Sequence, residues 1–195
     1  MGAWILALND ADHPSLFTLS RQTLPLLEGT DRTKVVKGAY PVYDSSSSEE
    51  PQITLIATGA EVSRAIETAK LIKDVRVRVV SMPSMEHFDR QPVSYRETVL
   101  PPSSLVVAIE AWGALGWAKY AHAGAHMHTF GMSAPQATLY EYFGFKPDNL
   151  ADKITKWSQT LKDGEKGYKL PRVGQFEELL LNFQPDHHSP IPYKV

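Results

Sequence analysis

ITLIATGAEVSRAIETAKLI, residues 53–72, is the stretch that decides the fold. Its first five residues are apolar or β-branched almost without interruption, the pattern of a strand covered on both faces, and Thr58-Gly59 ends the run. Beyond that turn Val62, Ile66, Ala69 and Leu71/Ile72 fall on one side of a helix, with Glu61, Arg64, Glu67 and Lys70 mostly on the other. Working outward, residues 75–81 (VRVRVVS) read as a second strand, which a right-handed crossover sets parallel to the first. Residues 93–100 can make two helical turns before Pro101-Pro102 stop them, and residues 104–110 (SLVVAIE) are a third buried strand. Strands alternating with helices in this way predict an α/β chain with an open, parallel sheet.

The flanks are less regular. Residues 1–8 are small and apolar, and residues 15–20 (SLFTLS) read as a short strand, so the opening looks like the end of a preceding α/β unit. Residues 21–30 contain Pro25 and Gly29 and read as an irregular link, residues 45–51 as a polar loop, and residues 82–92, with two prolines and no period, as irregular. On the far side, residues 112–123 (WGALGWAKYAHA) predict a helix despite Gly113 and Gly116, and residues 129–131 a short edge strand. Residues 134–145 predict a helix with Pro135 at its first position, and residues 147–163 another, with Leu150, Ile154, Trp157 and Leu161 on one stripe. Residues 175–182 suggest a last short helix, followed by a Pro/His-rich tail expected to be poorly ordered.

The bulk numbers exclude several functions. A chain of 195 residues holds one ordinary domain with extra segments at its ends. With 20 basic and 22 acidic residues the net charge is −2, which lacks the basic excess that a nucleic-acid backbone demands. Without cysteine there is no disulfide, thiolate metal site or cysteine nucleophile. No apolar run approaches the roughly 20 residues of a membrane span, and residues 1–8 are too short, and lack the basic flank, for a signal peptide. The expectation is a soluble, cytoplasmic protein.

In a parallel sheet ligands sit beyond the carboxyl ends of the strands, which here are Thr58-Gly59, Ser81-Met82 and Glu110-Ala111. Thr58, Glu61, Ser81 and Glu110 are therefore a possible crevice. Glu110 can act there as a base if burial raises its pKa, or it can simply orient a loop or cap the next helix; Glu61, in a first helical turn, suits the helix dipole as well as chemistry. His122 and His126, four apart with His128 behind, invite a metal. Gly124 weakens the helix they would share, however, and no acidic residue lies between them as in zinc-protease motifs, so no metal is expected. Gly59 belongs to neither GxGxxG nor GxxxxGK[ST], which leaves nucleotide binding without a motif. Trp112, Trp117, Tyr120, Tyr140, Tyr142, Phe143 and Phe145 read as core. Arg21 is either a strand-end guanidinium suited to a bidentate grip on phosphate or carboxylate, or a surface arginine pairing with Glu28 or Asp31.

Six blocks in order resemble one family: LSRQTLPLLEG (19–29), KGAYPVYD (37–44), IATGAEVSRAIETAKLI (56–72), RVRVVSMPSMEHFDRQPVSYRETVLP (76–101), EAWGALGWAKYA (110–121), and FGMSAP with YEYFGF (130–145). Together they look like the C-terminal third of a transketolase. MHTFGMSAP is most similar to fungal enzymes of the dihydroxyacetone synthase (formaldehyde transketolase) type. The resemblance implies a Rossmann-like three-layer sandwich with a mostly parallel sheet over residues 31–163. Residues 1–30 would be a remnant of the preceding pyrimidine-binding domain with its linker, and residues 164–195 a tail with a short helix. Arg21 matches the arginine of the LSRQ block that holds the substrate's phosphate. The motifs that hold magnesium and diphosphate, and the glutamate that activates the aminopyrimidine, have no counterpart here. Thiamine diphosphate and magnesium are thus expected only where a partner supplies the binding domains. The ending Tyr193-Lys194-Val195 departs from the peroxisomal tripeptide expected of dihydroxyacetone synthases.

Two functions follow as expectations. The chain is a transketolase C-terminal fragment or subunit, contributing a phosphate contact and an assembly surface to two-carbon ketol transfer but inactive alone. Otherwise it is a recruited domain that binds a small molecule, or works as a cofactor-independent enzyme, through the strand-end crevice with Glu110, Ser81 or His122. The exposed edge at residues 1–20 predicts a transketolase-domain partner or a homo-oligomer in either case.

Overall fold

The structure, a computed structural model, describes residues 2–46, 48–114, 116–164, 167–171 and 175–180. Among them β1 (Tyr40–Asp44), β2 (Ile53–Ala57), β3 (Val77–Ser81), β4 (Leu105–Glu110), β5 (Ala123–His126) and β8 (Glu177–Glu178) form one sheet in the order β1-β3-β2-β4-β5-β8. β1 runs antiparallel on the edge and every other pairing is parallel. A separate hairpin joins β6 (Lys162–Asp163) to β7 (Gly167–Tyr168).

β2 is central because all five of its residues are buried. Side chains alternate along a strand, so Ile53, Leu55 and Ala57 enter one core with α2 (Glu61–Leu71), Tyr140 of α5 (Gln136–Tyr142) and α6 (Pro147–Thr160). Ile56 joins Val80, Val106 and Ala108 on the opposite face, under Phe88 of α3 (Met85–Asp89) and Val99 of α4 (Val93–Val99). The result is helix layer, sheet, helix layer. Thr54, the polar residue in that strand, is satisfied by a buried 2.8 Å hydrogen bond to the Ser104 hydroxyl. The apolar stripe of α6 is the one its spacing predicts: Leu150, Ile154 and Trp157 are buried, each worth about 1.5–3 kcal/mol over exposure.

Five local expectations need correction. Residues 112–123 are not a helix: only Trp117–Lys119 makes a 3-10 turn, Gly116 sits at φ +85°, and Trp112 is exposed rather than core. The strand after β4 is β5, Ala123–His126, which lies inside the sheet between β4 and β8, and residues 129–131, expected as an edge strand, are irregular. Residues 15–20 form no strand; they carry exposed Leu16 and Leu19, while α1 (Gly2–Asn9) packs Trp4 on Phe17 at 4.9 Å. Within residues 175–180 the chain is β8 and a turn, not helix, because the free edge of β5 offers backbone partners: Glu177 N–H donates to the His122 carbonyl and Leu179 N–H to that of Gly124. Residues 181–195, with His187-His188 and the tail, lie outside the described residues. A short helix also occupies residues read as irregular. Ser84 caps the N-terminus of α3, its hydroxyl accepting the His87 N–H.

Candidate functional site

β2 leads through α2 to β3 on one side, and the next crossover, through α3 and α4, returns to β4 on the other side of β2. The strand order therefore reverses between β2 and β4, and a crevice opens beyond their carboxyl ends. Gly59, at φ +54°, turns the chain there, and the Thr58 carbonyl accepts the Glu61 N–H at 3.2 Å. Thus Glu61 enters the first turn of α2 next to Glu110, the last residue of β4.

The two carboxylates interact. Glu61 is 7% exposed and accepts a 2.6 Å hydrogen bond from the Tyr140 hydroxyl. Arg64, one turn on, lays its guanidinium 3.7 Å from the centre of the Tyr140 ring, a cation–π contact. Burial raises the Glu61 pKa against the opposing pull of Tyr140, its own backbone N–H and Arg64. Burial, reinforced by the Glu61 charge, pushes Glu110 up to about 8, the backbone N–H of Ala111 opposing. Burial and Glu61 raise Tyr140 as well. A like charge nearby and burial both disfavour the charged form, so the protonated form of Glu110 is the one the site favours towards neutrality. Such a group can give or take a proton near neutrality.

A groove of about 690 Å³ adjoins the crevice, and Ala111 and Tyr140 line it from that side. Phe130, Met132 and Phe143 form apolar walls, and Arg21 with Gln22 brings polar groups to it. Arg21 is exposed and makes no ion pair among the described residues; Asp31, one of its expected partners, is bonded instead to Thr33 and lies 4.0 Å from Lys34.

The predicted crevice residues do not all converge. Thr58, Glu61 and Glu110 are together. Ser81 ends β3 on the far side of β2, about 10 Å across two strand spacings, and lines a separate pocket with Gly59 and Ser63. His122 accepts the Val106 N–H through Nδ1 at 3.0 Å, and burial lowers its pKa, so it ties β5 to β4 as a neutral ring. His122 and His126 do not share a helical face. His126 lies on β5 with no side-chain exposure, and both it and His128 approach Glu178 at 3.1 Å. Burial alone would raise the Glu178 pKa, but hydrogen bonds and charge from His126 and His128 outweigh it and hold the carboxyl low. Among the described residues no group of three or more His, Asp or Glu is arranged to hold a metal ion.

Sequence reasoning missed Tyr140 and Glu178 as polar partners. Tyr140 sits in an aromatic run that reads as core, and its hydroxyl meets a carboxylate 79 residues away. No local pattern carries that signal.

Comparison with known proteins gives consistent matches. A family model described as the transketolase-like TK C-terminal domain matches residues 38–146. A probable transketolase of Schizosaccharomyces pombe is 38% identical over 164 residues, covering 83% of this chain and 24% of its own length. A dihydroxyacetone synthase of Candida boidinii is also 38% identical, over 152 residues, covering 76% of this chain and 21% of its own. Among solved structures, transketolase from Leishmania mexicana superposes with a TM-score of 0.77 at 40% identity, over 86% of this chain and 25% of that one. The chain thus spans about a quarter of the length of these relatives.

Proposed function

The chain belongs to the transketolase family and carries its C-terminal domain, and from that premise we propose that it serves two-carbon ketol transfer by contacting the substrate's phosphate through Arg21 and by packing against the domains that bind the cofactor. The observation that carries this reading is Arg21 at the 690 Å³ groove, its guanidinium free of any ion pair among the described residues. A planar five-donor cation suits a phosphate dianion, and Gln22 beside it can donate to the sugar hydroxyls. In this reading residues 1–30 are the end of the pyrimidine-binding domain, and exposed Leu16 and Leu19 pack against its remainder.

Thiamine diphosphate with magnesium is the cofactor the family implies, and it supplies the electron sink for the carbanion. The described residues do not fit it. Among them no group of three or more His, Asp or Glu is arranged to hold a metal ion, and the crevice at the switch point presents carboxyl groups, Glu61 and Glu110, rather than the cations or free N–H donors a diphosphate needs. No step is assigned through the cofactor to this chain; its own residues bind and orient, and activity depends on domains supplied from elsewhere.

Mixing the chain with a polypeptide bearing the cofactor domains of a transketolase tests the reading. Ketol transfer is expected only in the mixture. Arg21→Ala should lower kcat/KM for a phosphorylated acceptor by about 10–100-fold, the loss of one charged hydrogen-bonding group of about 1.5–3 kcal/mol, and leave an unphosphorylated acceptor unaffected. An equal loss on both acceptors, or no activity on mixing, refutes it.

A second reading, a recruited domain working alone, is favoured by the place of Glu110 at the carboxyl end of β4, partly open to solvent, where burial pushes its carboxyl up to about 8. Any turnover or ligand binding by the isolated chain should then fall in Glu110→Gln and persist in His122→Ala. Insensitivity to Glu110→Gln ends that reading.

A further inference from the structure

The chain leaving β5 supplies one wall of the groove at which Arg21 lies: Met127, Phe130, Gly131 and Met132 all line it. The Met127 side chain supports the turn at Gly131, φ +85°, where an added Cβ would sit 3.4 Å from the Met127 methyl. The backbone does little to fix this wall. The Met127 N–H donates to the Trp112 carbonyl at 3.1 Å, but among the described residues 129–134 make no hydrogen bond to another element.

Side chains hold it from behind. Glu178 of β8 lies 3.1 Å from His126 Nδ1 through Oε1 and 3.1 Å from His128 Nε2 through Oε2. His126 Nε2 is buried without a hydrogen-bond partner among the described residues, so Glu178 is the polar anchor of that ring. Alternation along the strand turns His126 to the face where Phe176 packs, ring centres 5.6 Å apart, and Met127 to the opposite face with the core of α2 and α6 and the groove. β8 is itself held firmly. Its backbone bonds to β5 are joined by one from Trp157 Nε1, which donates to the Glu177 carboxylate at 2.8 Å, and Leu179 and Leu180 are buried. We propose that Glu178 is a positioning residue for the groove: by accepting from His126 and His128 together it clamps the chain on both sides of Met127 and sets where the wall from Met127 to Met132 stands. The inference rests on the reading of that groove as the phosphate-substrate site.

Carbon-13 labelling of the methionine methyl groups in the full chain reads the wall without a ligand, because Met127 and Met132 lie in it and Met82, buried beyond the end of β3, does not. In Glu178→Ala the Met127 and Met132 signals should shift, and protection of the Met127 amide from hydrogen exchange should fall about ten-fold or more, while Met82 and the β2 amides hold. Glu178→Gln, whose amide still bonds one of the rings, should restore much of the wild-type signal. Glu177→Ala frees Trp157 Nε1 and loosens β8 from α6 without touching either histidine, so Met127 and Met132 should stay as in the wild type. Ribose 5-phosphate should bind Glu178→Ala several-fold more weakly than the wild type, with Glu178→Gln close to the wild type. Unchanged methyl signals in Glu178→Ala, an equal change in Glu177→Ala, or a loss of protection spread over β2 overturns the proposal. If ribose 5-phosphate does not bind the wild type, or binds Arg21→Ala equally well, the groove reading fails, and the methyl signals still decide whether Glu178 positions the wall. If binding needs Arg21 but is the same in Glu178→Ala, the groove reading stands and the positioning role falls.

Discussion

Replacing Glu110 by glutamine removes the titrating proton and keeps the side chain's shape. Glu110 has an ordinary pKa of 4.5 in the unfolded chain and about 8 in the fold. Between those values the folded protein holds a proton that the unfolded chain has released, so wild-type stability falls as pH rises across the window and levels off above it. At about 1.36 kcal/mol per unit, the penalty reaches about 3 kcal/mol at pH 7 and about 5 kcal/mol above pH 9, before water entering the open side of the crevice reduces it. Glutamine is neutral throughout and escapes the penalty. The variant should match the wild type near pH 4.5 and gain on it steadily towards pH 9. Urea unfolding at intervals of one pH unit measures this, with exposed Glu67→Gln as a control whose curve should track the wild type. Parallel wild-type and Glu110→Gln curves from pH 5 to 9 would mean that Glu110 is ionised and hydrated in the fold, which refutes the electrostatics of the crevice.

Other outcomes test the packing around the sheet. Gly38 sits at φ +82°, and a Cβ there would lie 2.2 Å from the Phe88 backbone nitrogen and 2.5 Å from the Ser84 carbonyl oxygen. Gly38→Ala should therefore cost about 3 kcal/mol or more in thermal unfolding; a neutral effect would show that the α3 junction yields. In Gly124→Ala the new methyl would meet the His126 ring at 2.0 Å, so the ring must leave Glu178, and exchange protection of the Leu179 amide on β8 should drop while that of β2 holds. On acidification, Glu178 has a depressed pKa and contributes stability above its ordinary range that is lost as pH falls through the folded value. Glu178→Gln should accordingly flatten the acid limb of the stability curve, and an unchanged limb would remove the His126–Glu178–His128 cluster as a source of stability.

The sequence by itself determined the middle of the molecule. The β-branched run at residues 53–57, the amphipathic α2, the strands at 77–81 and 105–110 and the α6 stripe were legible because period 2 and period 3.6 are local signals that burial on both faces amplifies. The order of six sequence blocks also carried the family. β5 was not legible: AGAH has poor strand propensity, and the preceding small and aromatic residues read as helix, until the free edge of β4 recruited the backbone. β8 and the Glu178 cluster arose the same way, from an edge that only the assembled sheet possesses. The sequence placed Glu61 and Glu110 at one strand-end crevice; what tertiary structure alone decided is which groups complete it, bringing in Tyr140 and leaving Ser81 outside. Glu61, Glu110 and Tyr140 belong to three separate elements, and they meet because the strand order reverses between β2 and β4 and opens a partly buried crevice at their carboxyl ends, with Tyr140 of α5 reaching Glu61 across 79 residues of sequence.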